Sequence, residues 1–345
     1  MSGTSAYLAF DIGGTKIASG LVAFPADGST QGDVSGAPAA VVSYKCAIPT
    51  EASLGGDSIR ERLVALGVEQ LRHAADNGID VAGIGIAAAG VPDSATGEIV
   101  SATDILPGWK GQNLYRAFAS VSDLPVYMVG DVGAHGLGEA GYGAGRGADI
   151  VLSIGVGTGI GGAIVVDGRL FQGAHGVAGH AGHVPAALGR GFLCSCGTTD
   201  GHIEPVASGT GLRDLYNRRL KAMGEREAGD VSAAYGVPLL TTPAIDGADV
   251  ARRAADGEGL ARGTLADSAR ALGACIGGMG NLIDPDVIVI SGSVVKAGPI
   301  WWDALREGFT DSALPLVRST PLVEGLLGGD APLIGAAVAV HRHVA

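Results

Sequence analysis

Residues 179–204 read GHAGHVPAALGRGFLCSCGTTDGHIE, a segment with three of the chain's eight histidines and two of its four cysteines. Such groups can bind a metal, form a redox pair, act as a nucleophile or simply line a polar loop. A closed structural zinc site takes four tetrahedral Cys and His ligands, and His183, Cys194, Cys196 and His202 supply that set. Cys-x-Cys is poorly spaced for redox work, which favours Cys-x-x-Cys. Buried thiols beside polar-loop histidines are the plainer alternative.

Two other stretches could bind phosphate. YLAFDIGGTKIASGLV (7–22) and IVLSIGVGTGIGGAIVVDG (150–168) each place a glycine-rich turn between two β-rich apolar runs, the pattern of a strand-turn-strand hairpin. Backbone N–H groups in such a turn, with no Cβ in the way, can close around phosphate oxygens. There is no G-x-x-x-x-G-K-[ST] sequence, so a P-loop is excluded. GVGTGIG at 155–161 runs into a further strand instead of opening a helix, which counts against a dinucleotide fingerprint.

These groups need elements to hold them. Residues 58–78 have helical periodicity ending at Gly78, 81–93 read as a strand entering a turn, and 123–131 as a short strand ending on Asp131. VGAHGLGEAGYG then starts a helix, 208–222 and 242–283 are helical, and 284–298 is a buried strand entering a Gly/Ser turn. APLIGAAVAVHRHV closes the chain as a helix, and 224–238 is the most loop-like stretch of the second half. At 345 residues with 47% hydrophobic content, two domains can each bury a core. The 59 glycines are interleaved with Val, Ile and Ala, which argues for tight strand turns and against disorder. A net charge of −12 argues against a nucleic-acid surface, which needs clustered Lys and Arg. The start MSGTSAYLAF shows no secretory pattern, and the longest apolar run is too short and glycine-rich to span a membrane. The expectation is a soluble cytoplasmic protein with no disulfide framework.

The order of motifs is specific. DIGGTK (11–16), GIGIAAAGVPD (83–93), LPGW (106–109), GDVGAHGLGE (130–139), GVGTGIGGAI (155–164), GVAGHAGH before CSCGTTDGHIE, and DPDVIVISGSVV together resemble the ROK family of sugar kinases and sugar-sensing relatives. The resemblance implies an α/β, two-lobed actin-like ATPase (ribonuclease H-like) fold with nucleotide and sugar in the interdomain cleft. Residues 1–130, with a C-terminal helix at about 332–345, would form the smaller lobe, and 131–331 the larger lobe carrying the zinc loop. Asp131 matches the catalytic base that accepts a sugar hydroxyl's proton; alone, it also reads as a helix cap. Asp11 matches the aspartate of phosphate and Mg²⁺, and Gly13, Gly14, Thr15, Thr158, Gly159, Gly161 and Gly162 match positions that cradle ATP phosphates. Lys16 fits either that turn or a solvated surface. Gly292 and Ser293 match the adenosine-side turn. Gly90, Thr103, Asp104, Gly130, Asp131, His180, His183 and Glu204 match sugar-facing positions.

Three departures from the family pattern concern substrate and metal. Gly130 stands where the family usually has Asn, and His180 where it usually has Glu. The cysteine motif carries one extra residue, with His202 in place of a third cysteine. The insertion leaves two arrangements open: four protein ligands on zinc, or three and a water. The function implied is ATP-dependent phosphorylation of a hexose or N-acetylhexosamine, glucokinase-like and most simply at the 6-hydroxyl, with Mg²⁺, structural zinc and a homodimer expected. A catalytically silent sugar binder and a sugar-sensing regulator are the alternatives. Regulators of this family carry a DNA-binding domain ahead of the first motif, and DIGGTK already begins at Asp11, so the kinase is expected.

Overall fold

The computed structural model describes residues 6–25, 40–226 and 242–344. The chain runs β1 (Ala6–Ile12), β2 (Lys16–Ala23), β3 (Val41–Pro49), α1 (Gly56–Asp76), β4 (Val81–Ala88), β5 (Val91–Asp93), β6 (Glu98–Ser101), α2 (Leu114–Ala119), β7 (Val126–Gly130) and α3 (Asp131–Tyr142). It continues with β8 (Ile150–Val156), β9 (Ile160–Val166), β10 (Arg169–Leu170), β11 (Pro185–Arg190), β12 (Asp200–His202), α4 (Glu204–Ala207), α5 (Gly209–Arg226) and α6 (Gly247–Ala255). The remaining elements are α7 (Gly259–Ile283), β13 (Val287–Ser291), α8 (Pro299–Ser312), β14 (Leu322–Glu324) and α9 (Ala331–Val344). Two five-stranded sheets result, ordered β3-β2-β1-β4-β7 and β10-β9-β8-β13-β14.

Contacts divide the chain into two compact units: Met1–Ser153 with Ala163–Gly179 and Gly325–Ala345, and Ile154–Gly162 with His180–Glu324. The grouping differs from a lobe boundary at 131, because α3 packs along α9 and stays with the first unit.

In the first unit, β1 pairs antiparallel with β2 and parallel with β4, and β4 pairs parallel with β7. Leu8, Phe10 and Ile12 of β1 point to one face, as the period of two requires, and share a core with Ile59, Leu63 and Leu66 of α1. On the opposite face, Gly85 of β4 lets the backbone of α9 approach, since a Cβ there would stand 2.2 Å from the Ala336 carbonyl oxygen. Glu139, fully buried on α3, accepts hydrogen bonds from the amides of Ala144, Leu326 and Leu327 at 2.9–3.1 Å. It thereby fastens α3 to the segment leading into α9.

The second unit is built on α7, the 25-residue helix packed against α8, with β13 buried along its whole length. Residues 242–283, expected to be helical, form α6 and α7, separated at Asp256–Glu258 by Gly257 at φ 96°. β3 and α8 were not foreseen. β3 is an edge strand with a mixed, half-exposed pattern and carries little hydrophobic alternation. Most of the loop-like 224–238 lies outside the described residues.

Candidate active site

The first unit's site follows from strand register. Ile12, Ala88 and Gly130 lie in one row across β1, β4 and β7, at the carboxyl ends of three mutually parallel strands. Ligand sites of open α/β sheets form beyond those ends. The chain leaves the row as the Gly13–Thr15 turn, as Ala89–Gly90 and as Asp131. Asp131 is the first residue of α3, with Gly130 as the N-cap, and its Oδ1 accepts the Val132 amide at 2.8 Å. A carboxylate there is favoured by the helix dipole. Asp11 feels this neighbour. Burial pushes its carboxyl up to about 6, the Asp131 charge adds to the rise, and Lys16 opposes it.

The turn after β1 is braced from outside. The Gly13 amide donates to the Lys16 carbonyl, the Thr50 amide to the Thr15 carbonyl, and the Thr50 hydroxyl to the Gly13 carbonyl at 2.7 Å. Thr50 is fully buried and was not singled out in the sequence, since its role depends on a partner 37 residues away. Thr15 and Lys16 are exposed at the tip.

Thr103 and Asp104 are exposed on a loop anchored by buried Leu106 and Trp109, whose indole donates to the Ala89 carbonyl at 3.1 Å. That bond ties the loop to the chain just before Gly90. At Gly130 the backbone has φ −62°, and an added Cβ would meet nothing closer than 3.8 Å, so the missing side chain is not a steric necessity.

In the second unit, Thr158 and Gly159 form the exposed tip of the β8–β9 turn, whereas Gly161 and Gly162 lie within β9, Gly162 buried. The turn is pinned on both sides: the Gly209 amide donates to the Gly157 carbonyl at 2.7 Å, and the Ile160 amide donates to Glu204 Oε2 at 2.9 Å. Gly292 lies flat against Val156; its φ of 102° and a Cβ position 2.3 Å from the Val156 oxygen exclude any other residue. Thr158 and Ser293 line a cavity of about 740 Å³, walled also by Leu212, Ala251, Val294 and Ile300. Its apolar sides suit a flat base, and its size is that of a ligand pocket. The cavity is walled by the first turns of α5 and α8 and by α6 along its length, a wall that motif reading did not locate.

His183, Cys194, Cys196 and His202 come together with all four ligand atoms within 4.8 Å of one another. His183 Nδ1 lies 3.4 Å from both Cys194 Sγ and His202 Nδ1, and Cys196 Sγ lies 3.4 Å from His202 Nδ1. Tetrahedral zinc with bonds of roughly 2.0–2.3 Å sets its ligand atoms about 3.3–3.8 Å apart, so the residues present fit the ion. Between Cys196 and His202 the Thr198 hydroxyl donates to Asp200, and β12 returns His202 opposite Pro185. Burial lowers the His183 imidazole below its ordinary value, favouring the neutral form that binds metal. His180 is exposed, its ring centroid 6.0 Å from that of His183. Among the described residues no helix is long and apolar enough to cross a membrane.

The sequence profile of the ROK family matches residues 7–343. The chain is 31% identical over 330 residues to a glucokinase of Halalkalibacterium halodurans, which covers 95% of this chain and 93% of that one. It is 27% identical over 229 residues to a xylose repressor of Caldicellulosiruptor bescii, covering 66% of this chain and 54% of the repressor. The crystal structure of a ROK family glucokinase from Streptomyces griseus, in complex with glucose and AMPPNP, superposes with a TM-score of 0.72 at 29% identity, over 98% of this chain and 100% of that one. The two mixed sheets and their flanking helices are thus an actin-like ATPase fold, as the motifs imply. The chain belongs to the ROK family.

Proposed function

We propose that this chain phosphorylates the 6-hydroxyl of a hexose or N-acetylhexosamine, with Asp131 as the general base. It is a sugar kinase, and ATP is its phosphoryl donor. The observation that carries the reading is the strand-end row that puts Asp131 within electrostatic reach of Asp11. A sugar hydroxyl attacks poorly until a carboxylate accepts its proton. Asp131, at a helix start, takes that proton as the sugar oxygen bonds to the γ-phosphorus of ATP and the bond from that phosphorus to ADP breaks. In the first unit, Thr103, Asp104 and the Gly90 turn are the sugar-facing residues and Gly13–Lys16 the phosphate turn. In the second unit, Thr158, Gly159 and Ser293 are the nucleotide-facing residues, and His180 and His183 the sugar-facing ones. Asp11 would hold Mg²⁺, which supplies charge neutralisation on the phosphoryl oxygens. The Cys/His cluster would hold zinc, which orders the loop bearing His180 and Glu204.

The test is an ATP-coupled assay over glucose, mannose, fructose, allose and the N-acetylhexosamines. Asp131→Asn lowers kcat by roughly 10²–10⁴-fold with melting temperature unchanged; undiminished turnover removes Asp131 as the base. Similarity to a xylose repressor supports a second reading, a sugar sensor without turnover. That reading predicts sugar binding by calorimetry with no ATP consumption on any sugar of the panel.

A further inference from the structure

The Glu204 side chain, which the family pattern gives to the sugar, is engaged by protein on both oxygens. Oε2 accepts the Ile160 amide at 2.9 Å, and Oε1 accepts the Ser195 hydroxyl at 2.5 Å. A Cβ on Gly159 would stand 2.7 Å from Oε2, so the carboxylate lies directly over the β8–β9 turn. Ser195 sits between Cys194 and Cys196, inside the metal loop. Glu204 itself is fixed as the first residue of α4, and the Ile203 amide ties its neighbour to the Val184 carbonyl at 3.0 Å.

From this chain of contacts we propose that Glu204 is a positioning residue for the nucleotide's phosphates. Its carboxylate locks the Thr158–Gly159 tip, and the Ser195 hydroxyl couples that lock to the metal loop. The inference rests on the nucleotide reading above. A tip bonded at Ile160 presents its exposed amides in one arrangement; a tip released there must be ordered by the phosphates themselves, at the expense of affinity. A metal held by the Cys/His cluster would therefore bear on nucleotide binding, through Ser195 and Glu204, as well as on the sugar loop.

The experiment is calorimetric titration of the full-length chain with Mg²⁺ and AMPPNP in the absence of sugar. A separate titration uses the best sugar of the panel without nucleotide. Ser195 is exposed, so Ser195→Ala folds, and zinc content by elemental analysis checks that the loop is intact. Ser195→Ala weakens AMPPNP binding roughly three- to tenfold and Glu204→Ala at least tenfold, while sugar affinity in Ser195→Ala stays within about twofold. Glu204→Gln restores nucleotide affinity, because its amide oxygen can accept from Ile160 while its NH₂ donates to Ser195. AMPPNP binding unchanged in both Ser195→Ala and Glu204→Ala, or a loss in Glu204→Ala confined to the sugar, overturns the proposal. A wild-type chain that binds no AMPPNP overturns the nucleotide reading itself, and this inference with it.

Discussion

At Asp11, burial and a neighbouring carboxylate act in the same direction, and the result is a group that titrates near 6. The sign is set by which state holds the proton. With its folded value raised, Asp11 favours the folded chain most below about 4, its ordinary range, and that contribution is lost as pH rises through about 6. The proposed role needs the opposite form, because Asp11 would hold Mg²⁺ only as the carboxylate. Log kcat/KM for ATP is therefore expected to fall on the acid side with a midpoint near 6; a midpoint near 4 would show that Asp11 is not perturbed in the working enzyme. Such residues differ in how far the sequence announced them. Asp11, Asp131 and the Cys/His set sit in local motifs, where type and spacing carry the chemistry. Thr50 and Ser195 could not be read that way: an ordinary hydroxyl becomes a brace only when the fold brings a carbonyl or carboxylate to it.

Among the elements, α3 and α9 show how the proposed base is held steady. Both read as helices from their sequences, despite glycines that lower helix propensity. The reason for those glycines is visible only in packing. A Cβ on Gly335 would lie 1.7 Å from the Ala134 carbonyl oxygen, and one on Gly138 would lie 2.2 Å from that of Ala331. The two backbones all but touch, and α3 begins at Asp131. Gly335→Ala is expected to lower unfolding free energy by about 1–3 kcal/mol, measured by urea denaturation, and to lower kcat as the base shifts. Gly141→Ala is the matched control. Its added Cβ meets only Val338, at 3.9 Å, so stability should hold or rise by about 0.5–1 kcal/mol. Equal losses in both variants would mean that close approach is not what selects glycine at 335.

At the scale of the whole molecule, all four residues of the Cys/His cluster belong to the second unit, so removing the proposed zinc should strike that unit alone. Elemental analysis is expected to give about one zinc per chain, and Cys194→Ser with Cys196→Ser to abolish it. Chelation should lower the melting transition of the second unit while leaving the α1-side core of the first in place, followed by hydrogen exchange at β1 and β4. A metal-free protein of unchanged stability would refute the site. At this scale the motifs conveyed fold class well, because their order along the chain mirrors the order of the two glycine turns. The grouping of contacts follows helix packing as well as sequence position, which places α3 and the base of the β8–β9 hairpin with the first unit. Gly130 adds a last consequence. A Cβ there would meet only the Gly90 carbonyl oxygen at 3.8 Å and Pro92 Cδ at 3.9 Å, ordinary contact distances, and the backbone angles suit any residue. A small side chain at that position can come and go by mutation along a path that folding does not police. On the proposed assignment of Asp131 as the base, selection on substrate and selection on structure are thereby uncoupled one residue from it.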